Sequence, residues 1–298
     1  MERTLNPKEF AVLQALEASD APLTQRVLAG ICNMSVGTVN KLAAQLSARG
    51  LAAEGRITDQ GRAALEPYRV KRAVLIAAGF GERLMPITLN TPKPLVRVRG
   101  ERIIDSLLDA LGAAEIEEVY IVRGYLKEQF DQLLHKYPNI AFIDNDQYNE
   151  ANNISSIVAA RDKLSNAYIF ESDILLANPT LITKYQYQSN YLGIPVDRTD
   201  DWCFKMKHGS IDQLTLGGVD GYQMCGLSYW TEDDGARLAE DALAVWNMPG
   251  GKECFWDEIP LRHCRGNYRV SVRECDFSDL VEIDTFKELQ KIDPAYCV

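Results

Sequence analysis

Hydrophobic and polar positions follow two different rhythms along this chain, and the change falls near residue 70. Before it, apolar residues recur at helical spacing. Asn6-Pro7-Lys8-Glu9 carries the cap, the first-turn proline and the third-position acid of a helix start. Phe10, Leu13 and Leu16 follow three apart. Thr24 predicts the cap of a second helix ending near Gly30, and Ser35 predicts a third that runs to Arg49 with Gly50 as its stop. On that third helix Val36, Val39, Ala43 and Leu46 form the expected buried stripe, leaving Thr38, Asn40, Lys41 and Gln45 on other faces. Residues 51–58, with Gly55 at the turn, predict a small hairpin, and Thr58-Asp59-Gln60-Gly61 opens one more helix.

Past residue 71 the rhythm becomes short continuous apolar runs separated by helical stretches. Residues 73–76, 118–122, 140–143 and 168–170 predict buried strands, and 104–111, 127–137 and 155–164 predict helices between them. Such alternation predicts an α/β fold with a mainly parallel sheet and helices on both faces. Ligands of these sheets lie outside the carboxyl ends of the strands. The chain therefore divides into a small helical domain over 1–68 and an α/β domain over 71–298.

The loop after the first of these strands carries the strongest chemical signal, LIAAGFGERLMPITLNTPKPL at 75–95. Ala77, Ala78, Gly79 and Gly81 leave the backbone bare enough for a nucleotide to lie against it, with amide groups free to converge on phosphate oxygens. Arg83 and Lys93 supply positive charge, one as a fork and one as a point charge. Pro92 holds the chain before Lys93 extended. The pattern Gly-x-Gly-x-Arg-Leu, then Pro, Thr and Pro-Lys, resembles the signature of the nucleotidyltransferases that make sugar nucleotides and CDP-alcohols. The fold this resemblance implies is Rossmann-like, with a mainly parallel, mixed sheet.

Nucleotidyl transfer brings two anions together, which calls for a divalent cation held by carboxylates. Asp173 follows the strand ending Tyr168-Ile169-Phe170-Glu171. Val281-Glu282-Ile283-Asp284 offers a second acid, with Glu282 and Asp284 on one face; Asp284 is taken as the ligand.

Composition narrows the classes. The chain has 298 residues, 46% hydrophobic and 25% charged, with no apolar run near the ~20 residues of a membrane span. The first residues lack a signal-peptide core, and seven cysteines without a C-x-x-C pair predict reduced thiols and a cytoplasmic protein. The spacings of Cys254, His263, Cys264 and Cys275 match no zinc module. Net charge is −10, but the first 70 residues hold eight Lys or Arg and seven Asp or Glu, so the acidity lies in the second domain. That suits metal and nucleotide chemistry better than polyanion binding.

The first domain resembles the winged helix-turn-helix domains of bacterial regulators, most closely through LTQ…SVGTVNKLAAQLSARGL…ITDQGRAAL. Ser35, Thr38, Asn40, Lys41 and Gln45 would then face DNA; a docking module that has lost DNA fits equally. Residues 71–298 are similar to bacterial choline-phosphate cytidylyltransferases in the GYLKEQF run at 124–130, Asn152-Asn153, Asp173, Trp202, the FWDE stretch at 255–258 and the closing EID at 282–284. The resemblance implies that Lys93 and Arg83 neutralise the phosphates and the leaving pyrophosphate. It further implies that Asp173 and Asp284 hold Mg²⁺, and that Ala77–Gly79 with Asn152, Asn153 and Ser156 frame the cytosine and ribose. One departure is Glu171, where an Asp is common. A quaternary ammonium is held by aromatic faces and nearby carboxylates. Trp202, Tyr222, Tyr229, Trp230 and Trp256, with Asp257 and Glu258, are the candidates.

The reading is a Mg²⁺-dependent enzyme making CDP-choline and pyrophosphate from CTP and phosphocholine. The alternatives are another small acceptor (2-aminoethylphosphonate, phosphoethanolamine, a sugar or polyol phosphate) or a regulator that only senses nucleotide. Oligomeric state is left open, a homo-oligomer included.

Overall fold

The computed structural model describes residues 3–297; Met1, Glu2 and Val298, at the ends of the two expected spans, lie outside the described residues. The chain forms two compact units. The first runs through Arg69 and includes Tyr185–Tyr187. Its elements are α1 (Pro7–Glu17), α2 (Gln25–Ile31), α3 (Val36–Ala48), the hairpin β1 (Ala52–Ala53) and β2 (Arg56–Ile57), and α4 (Asp59–Leu65).

Local capping sets these boundaries. The Asn6 side chain accepts from the Lys8 and Glu9 amides, and the Glu9 carboxylate accepts from the Asn6 amide at 3.0 Å. Thr24, Ser35 and Thr58 cap the other three helices. Phe10, Leu13, Leu16, Leu46, Leu65 and Tyr68 close the core. The stripe on α3 differs from the expected one. Val39, Leu42 and Leu46 are buried, whereas Val36 is 44% exposed and Ala43 is half-buried. Val36 is the first helical residue, and the i, i+3, i+7 spacing turns Leu42 inward instead. Ser35 spends its hydroxyl on the Thr38 amide at 3.2 Å, while Asn40, Lys41 and Gln45 are exposed.

The second unit begins with β3 (Arg72–Ala77), a short ribbon β4 (Arg97–Val98) and β5 (Glu101–Arg102), and α5 (Ile103–Ala113). It continues through β6 (Glu118–Arg123), β7 (Ile140–Asp144), α6 (Ile154–Ala159), β8 (Ala167–Glu171), β9 (Ile174–Leu176), β10 (Asn190–Lys207) and β11 (Ser210–Trp230). The last elements are α7 (Glu232–Trp246), β12 (Ser271–Glu274), β13 (Leu280–Glu282) and α8 (Phe286–Ile292). Seven strands form one sheet in the order β12-β10-β11-β8-β3-β6-β7. β8, β3, β6 and β7 run parallel, and β11 joins β8 antiparallel, so the sheet is mixed.

Both faces of the sheet are covered. Ala73 and Leu75 of β3 pack with Ile104 and Leu107 of α5; Val74 and Ile76 pack with Ile154 and Ile157 of α6 and Leu238 of α7. Strands covered on both faces read as unbroken apolar runs, which is why they were visible in the sequence. Two helical expectations are modified. Residues 127–135 form a 3₁₀ helix, and the stretch from 155 to 164 breaks into α6 and a 3₁₀ turn at Arg161–Lys163. No helix of the described residues is long and apolar enough to cross a membrane.

Candidate active site

The site forms where β3 and β8 end. After Ala77 the chain enters a loop in which Gly81 takes a left-handed φ of 66°. A Cβ at Gly81 would lie 3.0 Å from the Lys93 Cβ, so the glycine lets the loop fold back onto the lysine. The Thr88 hydroxyl donates to the Gly81 carbonyl at 2.8 Å and pins that fold. Lys93 opens a 3₁₀ turn after Pro92, and its side chain is 12% exposed.

Lys93 Nζ donates to Asp173 Oδ2 at 2.7 Å and to Asp284 Oδ1 at 3.0 Å. Burial works against its charge, but the two carboxylates outweigh it and hold the ammonium above its ordinary pKa. Arg83, largely exposed, donates to both oxygens of Asp284 at 3.0 and 2.8 Å. Asp284, expected to bind metal, therefore has its oxygens engaged by the two cations.

Glu282, two residues before Asp284, lies in a cluster of acids. One oxygen each of Glu171, Asp173 and Glu282 lies within 4.8 Å of the others. β13 pairs with β9, setting Glu282 opposite Ile174, and the Ile283 amide donates to the Asp173 carbonyl at 3.1 Å. Burial pushes the Glu171 carboxyl well above its usual range, and Asp257 and Asp173 push it further. Burial, Asp173 and Asp284 do the same to Glu282. Asp173 Oδ1 is buried with no hydrogen-bond partner. Three crowded, desolvated carboxyls and an orphaned oxygen fit a divalent cation that accepts oxygen ligands. The sequence signal for Glu282 was present, since it shares a strand face with Asp284.

A cavity of about 760 Å³ opens over Arg83, Lys93, Glu171, Asp173 and Asp284. Ala77, Gly79, Gly81, Asn152 and Asn153 line it, as do Tyr148, Lys252 and Phe255. Ala78 and Ser156 line an adjoining recess of about 160 Å³ with Asn145 and Tyr148. Asn153 ties the walls together: its Nδ2 donates to Glu171 Oε1 at 3.4 Å, and its Oδ1 accepts from the Trp256 amide at 2.8 Å.

Of the residues expected to hold choline, several lie in the core. Tyr229 and Trp230 are fully buried, bonded to Asn166 Oδ1 and Ser228 Oγ at 3.0 Å each. Trp256 is 1% exposed and stacks on Tyr191 at 5.9 Å between centroids. These three are core residues because both faces of the sheet are packed. Asp257 is buried and accepts from the Tyr191 hydroxyl; burial raises its carboxyl to about 7. Tyr222 donates to Glu274 at 2.7 Å. Trp202 is half-buried, and its ring edge meets Phe255 at 5.8 Å. The Arg262 guanidinium already sits 5.2 Å over the Trp202 ring and pairs with Glu258 at 2.5 Å. Phe255 was marked in the sequence only as part of the FWDE stretch and Arg262 not at all, because their roles arise from contacts between β10 and the 255–262 segment.

Comparison with known proteins identifies the family. The nucleotidyl transferase family matches residues 72–190. A 2-aminoethylphosphonate cytidylyltransferase from Lancefieldella rimae is 36% identical over 228 residues, covering 75% of this chain and 92% of the relative. A choline-phosphate cytidylyltransferase from Streptococcus pneumoniae is 28% identical over 228 residues, covering 74% and 96%. The solved CTP:phosphocholine cytidylyltransferase from Streptococcus pneumoniae superposes with a TM-score of 0.70 at 27% identity, covering 76% of this chain and 99% of that one.

Proposed function

The chain belongs to the nucleotidyltransferase family, as a cytidylyltransferase, and we propose from that premise that it transfers the cytidylyl group of CTP to 2-aminoethylphosphonate. A phosphonate oxygen attacks the α-phosphorus, the bond to the bridging oxygen breaks, and pyrophosphate leaves. Lys93 and Arg83 stabilise the charge that develops on the phosphates. Glu171, Asp173 and Glu282 would hold Mg²⁺, which would neutralise phosphate oxygens and order them for displacement. The bare backbone at Ala77–Gly81 and the Asn152, Asn153 and Ser156 wall hold the nucleoside.

The observation that carries the acceptor is the interior placement of three of the aromatic residues expected to hold choline, which leaves Phe80, Tyr148 and Phe255 as the aromatic lining of the cavity. A trimethylammonium has no N–H and depends on open aromatic faces. Here Tyr229, Trp230 and Trp256 are interior, and Trp202 already carries a guanidinium. A primary ammonium instead donates directly to carboxylates, and Glu150 and Glu253 line the cavity. The 36% identity to an enzyme named for this phosphonate supports the same reading. Pyrophosphate release from CTP should show kcat/KM at least ~10-fold higher for 2-aminoethylphosphonate than for phosphocholine, a difference of ~1.4 kcal/mol. The reverse ranking would restore phosphocholine as the acceptor.

We also propose that the first unit is a winged helix-turn-helix module that places α3 on DNA. The order α1-α2-α3-hairpin-α4, with Asn40, Lys41 and Gln45 exposed, favours this reading. The near-neutral charge of this unit limits phosphate contacts, so binding should be weak and measurable only at low salt. Fluorescence anisotropy with DNA from the gene's own promoter should rise at low salt and fall at physiological salt. A flat titration at low salt would leave a docking module.

A further inference from the structure

Three cationic residues contribute to the lining of the cavity: Arg83, Lys93 and Lys252. The first two are committed to carboxylates, Arg83 to Asp284 and Lys93 to Asp173 and Asp284. Lys252 pairs with no carboxylate among the described residues; its ammonium lies 4.9 Å over the Trp246 ring. An aromatic face orients an ammonium without neutralising it, so this charge is available to an anion.

The backbone around Lys252 is fixed. Gly250 takes a φ of 76°, and a Cβ at Gly251 would fall 1.8 Å from the Val245 carbonyl oxygen, so the turn admits only glycine there. The Lys252 carbonyl accepts from the Asn152 amide at 2.8 Å, and the Glu253 carbonyl from Asn152 Nδ2 at 3.1 Å. The Asn152-Asn153 pair thereby joins Lys252 to Glu171, and Glu171 in turn borders Asp173.

The chemistry needs charge in two places. In-line displacement puts the attacking oxygen and the leaving pyrophosphate on opposite sides of the α-phosphorus. Arg83, Lys93 and the glycine loop serve the phosphates of CTP. The incoming phosphonate, itself an anion, needs a cation of its own, and Lys252 lines the same cavity on the segment that continues to Phe255, without the carboxylate partners that hold Arg83 and Lys93. We propose that Lys252 binds the phosphonate, or the chemically equivalent phosphate, of the acceptor and positions its oxygen for attack. This rests on the cytidylyl-transfer reading of the cavity.

The test is steady-state kinetics of Lys252→Met and Lys252→Arg, with CTP and acceptor varied separately and calorimetric CTP binding measured without acceptor. Lys252→Met should raise the acceptor KM by ~10- to 100-fold, the scale of a hydrogen bond between charged groups. Its KM and binding constant for CTP should stay within about twofold of wild type, and Lys252→Arg should recover most of the acceptor affinity. An unchanged acceptor KM, or equal damage to CTP and acceptor, would overturn the assignment; so would an Arg variant as weak as Met. Because wild type is assayed with both acceptors alongside, a wrong acceptor appears as a reversed wild-type ranking, whereas a wrong Lys252 assignment appears only in the variants.

Discussion

Lys93→Ala is expected to lower kcat by ~10²-fold or more, the loss typical of removing one preorganised group from a developing charge. The ammonium is nearly enclosed, with 12% of its side chain exposed, so its interaction with phosphates is weakly screened by water. Its present partners, Asp173 and Asp284, give the variant a second signature. Without the cation those carboxylates face Glu171 and Glu282 uncompensated, which raises the negative potential of the cluster. Divalent-metal affinity should therefore hold or rise while turnover falls, and thermal stability without metal should drop. Single-turnover rates and a metal titration of the same preparation check both signs. A variant turning over at near wild-type rates would remove Lys93 from the chemistry.

Asp173→Asn is expected to cut activity at fixed Mg²⁺ by ~10³-fold, since a metal ion contributes several kcal/mol to the transition state and each ~1.36 kcal/mol is tenfold. Asp173 is the member of the acid cluster that also bonds Lys93, and its second oxygen is buried without a partner. The amide keeps the size but supplies no charge to a cation and turns an NH₂ group toward a neighbour that is already a donor. Activity should not return at ordinary Mg²⁺ concentrations. EDTA should abolish wild-type turnover, and excess Mg²⁺ should restore it. An EDTA-insensitive wild type would end the metal-dependent mechanism.

Several features were legible before any coordinates because their causes are local. Asn6, Thr24, Ser35 and Thr58 cap helices through bonds spanning two or three residues. The apolar runs of β3, β6 and β8 reflect burial on both faces, which each strand carries in its own composition. The loop with Arg83 and Lys93 declared itself through glycines and prolines whose backbone limits are intrinsic.

The errors lie where long-range pairing decides. The 18- and 21-residue strands β10 and β11 were not foreseen, because the hairpin they form with each other carries repeated register shifts around Cys203 and Phe204 that break the alternation a long strand would show. Tyr229 and Trp230 are neighbours on opposite faces of β11, where they pair with Tyr168 and Ala167. On a sheet exposed on one side, one of the two would have met solvent. Here helices or loops cover both sides and both rings are interior.

The sequence by itself determined the local elements, the phosphate-facing loop and the acidic residues that such chemistry requires. Only the tertiary structure decided that Glu282 joins Glu171 and Asp173 while Asp284 pairs with Arg83 and Lys93, and that Trp202 carries Arg262. The physical reason is one of range. Capping, pleating and turn geometry are set within a few residues, whereas the partner of a charge or an aromatic face depends on how distant strands are brought into register.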